Sequence, residues 1–203
     1  MKKTFFHLAP LFVQTFLWLP IRLVLEWFGR VKIEGLRNFK GLESNVIFAV
    51  NHGSKFDPFL VPASLPMFSR YSPLFFITDK KGALWGGYTL VSNAHDYRLS
   101  HKNVMKLADT GESFVLHLPE HGGVAFLADY AHCPIIPVAV LGTSDMNWQD
   151  FFDRKRKIAV KFGKPIFPKE LTEILPTNHT VGEDIYKKQA QYVMEKIAEL
   201  AEK

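Results

Sequence analysis

The chain alternates between short unbroken apolar runs and segments with apolar residues at three- and four-residue steps. Residues 46–50, 74–78, 113–118 and 135–140 are nearly continuous apolar runs. That is the pattern of strands covered on both faces. Ile158-Ala159-Val160-Lys161-Phe162 alternates instead and predicts a strand nearer an edge. Between the strands, Pro58 to Phe68 reads as a helix interrupted by Pro62 and Pro66, and Ser100 to Ala108 as a helix capped by Ser100 and stopped by Gly111. Tyr186, Ala190, Val193, Ile197 and Leu200, with Lys and Glu between them, predict an amphipathic helix packed on the sheet. Strands interleaved with helices predict one α/β domain over residues 31–203, with a mixed, largely parallel central sheet flanked by helices.

Residues 1–30 follow another pattern. Eighteen residues without Lys, Arg, Asp or Glu separate Lys3 from Arg22. A bilayer span wants about 20 apolar residues, and here Pro10, Pro20, His7 and Gln14 interrupt the run. Arg22, Glu26 and Arg30 then recur every four residues, one polar stripe on an otherwise apolar helix. Trp18 and Trp27 suit headgroup depth. These residues predict a membrane-associating helix pair dipping into one leaflet; the alternative is a pair that covers the domain's own core. No small-x-small cleavage site follows the apolar run, which argues against a signal peptide.

Charge sharpens this picture. The formal net charge is +5; residues 1–40 hold seven Lys/Arg against two Glu, while residues 41–203 hold eighteen of each sign. Nucleic-acid binding would spread basic surface over the folded domain. A surplus confined to the apolar segment fits an anionic membrane surface, where each nearby cation gains about 1 kcal/mol. The basic knot Asp153-Arg154-Lys155-Arg156-Lys157 reads as a solvated turn within reach of headgroups. The one cysteine, Cys133, excludes an internal disulfide framework and reads as a small buried hydrophobe. No Gly-x-Ser-x-Gly, Cys-x-x-Cys, P-loop or Gly-x-Gly-x-x-Gly occurs, so a covalent acyl-enzyme has little support. No metal is expected: His95 with Asp96, and His117 with Glu120, lack a third ligand.

The chemistry concentrates in Val50-Asn51-His52-Gly53-Ser54-Lys55-Phe56-Asp57-Pro58. His52 and Asp57 would stand about 140° apart on a helix turning about 100° per residue, so they do not share a helical face. A buried strand precedes them and the helix-opening pair Asp-Pro follows, giving strand, turn and helix start, where functional groups often sit in α/β sheets. Such a turn can fold the carboxylate back onto the imidazole, fix its tautomer and make the other nitrogen a better base. The plainer reading makes Asp57 a helix cap and His52 a turn residue.

This stretch resembles the first motif of the lysophospholipid acyltransferase superfamily, the glycerol-phosphate and 1-acylglycerol-phosphate O-acyltransferases with a His-x4-Asp motif. Residues 31–38 resemble the short strand and turn before that motif, and 107–120 the approach to the family's Phe-Pro-Glu-Gly motif. Cys133 to Gly142 resembles its Pro-Ile-x-Pro-Val strand, and Phe162-Gly163-Lys164-Pro165-Ile166 its late Gly-x-Pro-Ile. The matches keep the family's order over roughly residues 31 to 170. Two departures matter: the family's Glu-Gly-Thr-Arg is replaced by Glu120-His121-Gly122-Gly123, with no arginine for an acceptor phosphate, and its Gly-x-x-Phe-Ile-x-Arg motif is matched only loosely, by Val91 to Arg98.

The resemblance implies O-acyl transfer from acyl-CoA or acyl-carrier protein to a hydroxyl of a lysophospholipid or related glycerolipid, with no cofactor beyond that co-substrate. His52 is then the general base and Asp57 its orienting partner. Backbone N–H groups of Gly53–Phe56 are candidate oxyanion donors, with Asn51 and Ser54 behind them. Glu120, in the loop with Gly122, is implied to line the acceptor site. Arg98 is the counterpart of a motif arginine, and with Lys80 a candidate for an anionic headgroup. The implied location is peripheral, on the cytoplasmic face of a bacterial membrane. Two other readings stay open, a non-catalytic lipid-binding relative and a lipid esterase or thioesterase.

Overall fold

The structure, a computed structural model, describes residues 2–51, 53–54, 57–77, 109, 113–117, 122–174 and 183–202. Its centre is a six-stranded sheet of β1 (Lys32–Glu34), β2 (Ile47–Val50), β3 (Leu74–Ile77), β4 (Ser113–His117), β5 (Ile135–Leu141) and β6 (Ala159–Phe162). The strand order is β1-β6-β5-β2-β4-β3. The β5–β6 pair is antiparallel and the other four neighbouring pairs are parallel. The mixed, largely parallel sheet predicted from the apolar runs is therefore present. The alternating strand β6 lies one place in from an edge, shielded by β1, whose short segment precedes the turn at Gly35.

Two apolar layers account for the unbroken runs. Val46, Phe48 and Val50 point into one layer with Val138, Val140 and Phe162, while Ile47 and Ala49 point into the other with Ile135 and Ala139. With both faces buried there is no solvent side to demand alternate polar residues. Helix α2 (Asp57–Ser64) closes the first layer. The second is closed by α3 (Gly123–Ala131), α5 (Pro168–Ile174) and the C-terminal α6 (Glu183–Glu202). The latter buries Ala190, Val193 and Ile197, as its three- and four-residue spacing predicts. A short helix, α4 (Trp148–Phe152), joins β5 to β6. The predicted helix at 100–108 lies outside the described residues.

The N-terminal segment departs from expectation. In place of two helices the structure has one α-helix, α1 (Lys2–Val24), that runs through Pro10 and Pro20 and widens into a π turn at Leu25–Gly29. An interior proline costs about 3 kcal/mol. Against Pro20 stand four hydrogen bonds from one face of the helix. The Gln14 amide donates to Leu74 O (2.8 Å) and accepts from Leu74 N–H (2.9 Å). Trp18 Nε1 donates to Leu65 O (2.9 Å), and Arg22 Nη1 to Ala63 O (2.9 Å). At about 0.5–1.5 kcal/mol each, these bonds and the burial of Leu25 offset the break. Gln14 also satisfies backbone groups of β3, an edge strand. Trp18, expected at headgroup depth, instead anchors the helix to the domain.

From Phe12 onward the opposite side of the segment carries exposed apolar side chains. Phe12, Phe16, Leu19, Leu23 and Trp27 recur at three- and four-residue steps and are 72, 71, 50, 55 and 69 % exposed. At about 100° per residue the four on α1 fall within an arc of about 60°, turned well away from Gln14, Trp18 and Arg22, and Trp27 follows in the π turn. No described helix is long and apolar enough to cross a membrane.

Candidate active site

The site forms where β2 ends and α2 begins. Asn51, the first residue past β2, turns its side chain onto β5: Nδ2 donates to Val140 O (2.9 Å) and Oδ1 accepts from Val140 N–H (2.6 Å). Val50 is still in register with Val138 on β5. The Asn51 amide thus takes over the ladder one step on, and the main chain is released from the sheet without leaving Val140 unpaired. The segment is held again at Gly53, whose carbonyl accepts from Asp145 N–H (3.4 Å) in the turn after β5.

Asp57 is the third hold. Its carboxylate is fully buried. Oδ2 accepts from Gly53 N–H (2.7 Å) and Ser54 N–H (2.9 Å), and Oδ1 from the Ser54 hydroxyl (3.0 Å). A capping aspartate accepts from N–H groups two or three positions after it. Asp57 accepts from three and four positions before it. The turn therefore folds the carboxylate backward, onto Gly53 and Ser54, the first two described residues after His52 in the chain. Its place in the first turn of α2 is also where a helix favours negative charge.

That geometry corrects one expectation. The N–H groups of Gly53 and Ser54 point at the Asp57 carboxylate, so they are not open donors for an oxyanion. Ser54 likewise gives its hydroxyl to Asp57, and Asn51 gives its amide to Val140, so both hold the turn together. Gly122 is the residue before α3, with φ +77°. A Cβ there would stand 3.1 Å from Lys187 N and Tyr186 C, so its bare Cα lets α3 approach α6. His52, Lys55, Phe56, Lys80, Arg98 and Glu120 lie outside the described residues. Cys133 is buried behind the sheet, and burial pushes its thiol up to about 12, leaving almost no thiolate near neutrality.

The turn at 143–145, with Thr143 buried and Asp145 N–H on Gly53, belongs to the site and was not singled out from the sequence. Its only local signal is Gly142-Thr143-Ser144-Asp145 after an apolar strand, a common turn composition.

A mostly parallel α/β sheet with a buried aspartate folded back at the carboxyl end of a central strand defines the class: an α/β domain with its candidate chemistry at a strand-to-helix turn. Within that class the chain shares its fold with a solved structure, the 1-acyl-sn-glycerophosphate (LPA) acyltransferase PlsC from Thermotoga maritima. The two are 19 % identical, with a TM-score of 0.55, over 94 % of this chain and 82 % of that one. No protein-family model matches the sequence, and no curated protein does.

Proposed function

We propose that this chain is a membrane-associated O-acyltransferase. It moves a fatty acyl group from an acyl thioester, acyl-CoA or acyl-carrier protein, to a hydroxyl of a lysophospholipid or related glycerolipid. One observation carries the reading: the Asp57 carboxylate is folded back onto Gly53 and Ser54, beside His52 in the chain. A cap alone has no need of that direction. The fold shared with a 1-acyl-sn-glycerophosphate acyltransferase supports the same class of reaction.

In this mechanism His52, oriented by Asp57, takes the proton of the acceptor hydroxyl as its oxygen attacks the thioester carbonyl. A positioned base of this kind is worth about 10²–10⁴ in rate. The tetrahedral intermediate collapses with loss of the C–S bond, and the proton on His52 passes to the departing thiolate. The acceptor is assigned to Glu120 and Gly122, and an anionic headgroup to Arg98 and Lys80. Without the family's arginine in the 120–123 loop, a sugar or amino-acid headgroup is as acceptable as a phosphate. The exposed apolar stripe of α1 and the basic surplus of residues 1–40 support a peripheral position on the cytoplasmic face of a bacterial membrane.

The test is free-thiol release from acyl-CoA and acyl-carrier-protein donors, with and without a mixed lysolipid extract, for wild type beside His52→Ala. Release that needs both the acceptor and His52 is the expected result, and the product mass names the acceptor. Equal release without acceptor would make the protein a thioesterase. No His52-dependent release from either donor would make it a non-catalytic lipid-binding relative.

A further inference from the structure

Where α1 ends, its exposed stripe runs on to a second element. Gly29 closes the π turn against α4: a Cβ on it would meet Phe151 Cε2 at 3.0 Å, so a side chain there would press the ring back. Phe28 stands edge-on to Phe152, with centroids 5.1 Å apart. Beyond α4, the Arg154 guanidinium carbon lies 5.8 Å from the ring centroids of both Trp27 and Phe28. Trp27 and Phe152 remain 69 and 47 % exposed.

The basic knot after α4 is unevenly neutralised. Lys155 pairs with Asp150 and Asp153, and Arg156 with Asp150. Arg154 and Lys157 make no ion pair among the described residues and are exposed. One uncompensated cation, Arg154, thus stands at the end of an exposed apolar stripe, laid over the tryptophan that closes it, and Lys157 follows three residues on in the same turn. Tryptophan is enriched where one end of its ring is apolar and the other wet, and arginine keeps its head in the polar layer above.

We propose that the turn carrying Arg154 and Lys157 is a headgroup-binding edge of the surface that α1 presents to a bilayer, and that its ligand is an anionic phospholipid. The inference rests on the membrane-surface part of the function proposed above and not on acyl transfer. The apolar stripe supplies partitioning of either sign of membrane. The two cations supply the preference for negative charge, and the place of Arg154 beside Trp27 fixes which edge of the protein meets the headgroups.

The experiment is sedimentation of the full chain with two kinds of vesicle, pure phosphatidylcholine and phosphatidylcholine mixed about three to one with phosphatidylglycerol. Each cation near an anionic surface is worth roughly fivefold in partitioning. Arg154→Gln with Lys157→Gln should therefore bind mixed vesicles roughly 25-fold more weakly than wild type and bind pure phosphatidylcholine unchanged. Raising the salt should erase the difference. Arg154→Lys keeps the cation and should retain most of the binding. Trp27→Ala should weaken both vesicle types.

The inference is overturned if the double variant binds mixed vesicles as wild type does, or loses equally on both kinds. It is also overturned if wild type binds neither. His52→Ala run alongside should sediment as wild type does, so a failure here leaves the thiol-release test of acyl transfer standing.

Discussion

Asp57→Asn separates what the carboxylate does for the turn from what it does for catalysis. The substitution keeps the shape and one oxygen, which can still accept from Gly53 and Ser54 N–H as Oδ2 does now. The new NH₂ meets the Ser54 oxygen, which can accept in turn, so each of these three partners keeps a bond. What is lost is charge. Hydrogen bonds to an ionised group are worth about 1.5–3 kcal/mol and neutral ones about 0.5–1.5. Three bonds each weakened by about 1 kcal/mol lower stability by about 3 kcal/mol. For a chain of this size that moves Tm down by about 6–12 °C.

The effect on rate should be far larger than so modest a loss of stability explains. In the mechanism proposed above the carboxylate orients the His52 imidazole and offsets its positive charge, and an asparagine can do neither as well. The fold of the rate due to a positioned base, about 10²–10⁴, is then largely forfeit. Thiol release measured well below the lowered Tm isolates this term. A variant that loses the expected stability but keeps more than about a third of the rate would reduce Asp57 to a lock on the turn. A variant with unchanged Tm would mean that the three donors do not hold the carboxylate as described.

Two further substitutions test the surroundings. Asn51→Leu removes both partners of Val140, a donor and an acceptor in a half-buried site. At about 1–3 kcal/mol for each stranded group, urea unfolding should show a loss of about 2–6 kcal/mol; a loss under about 0.5 would remove Asn51 as the clamp that ends β2. Cys133→Ala tests burial through pH. The folded thiol titrates at about 12 against 9.0 when free, so its contribution is complete below about pH 9 and is lost as pH climbs toward about 12. In reductant, wild type should lose about 2 kcal/mol between about pH 8 and about pH 10.5 that the alanine variant does not. Parallel curves would place the thiol in contact with water.

What the sequence revealed and what it hid divide along chain separation. The strands at 47–50 and 135–141 were legible because both of their faces are buried and each reads as an apolar run. A turn at Asp57 was legible because the donors described for it, on Gly53 and Ser54, lie within four residues of it. The holds that complete the site span far more chain. Asn51 reaches Val140 across 89 residues, and Gln14 reaches Leu74 across 60. No local spacing encodes such a pair. An asparagine beside a histidine looks like chemistry until β5 is seen to claim its amide.

The same separation explains the N-terminal helix. From composition alone, Pro10 and Pro20 break the segment and Trp18 belongs with Trp27 at a membrane interface. Local propensity is right about the cost of the proline and blind to what meets it: Leu74, Leu65 and Ala63 carbonyls line up with side chains four residues apart on one face of α1. Once that face is committed to the domain, the two tryptophans have opposite fates, one bonded inward and the other left beside Arg154. The apolar residues that remain exposed are then a consequence of docking, since a helix held along Gln14, Trp18 and Arg22 cannot also bury Phe12, Phe16 and Leu23. The bonds that hold α1 to the domain thus fix its apolar face outward, and that face is the one the proposed membrane contact uses.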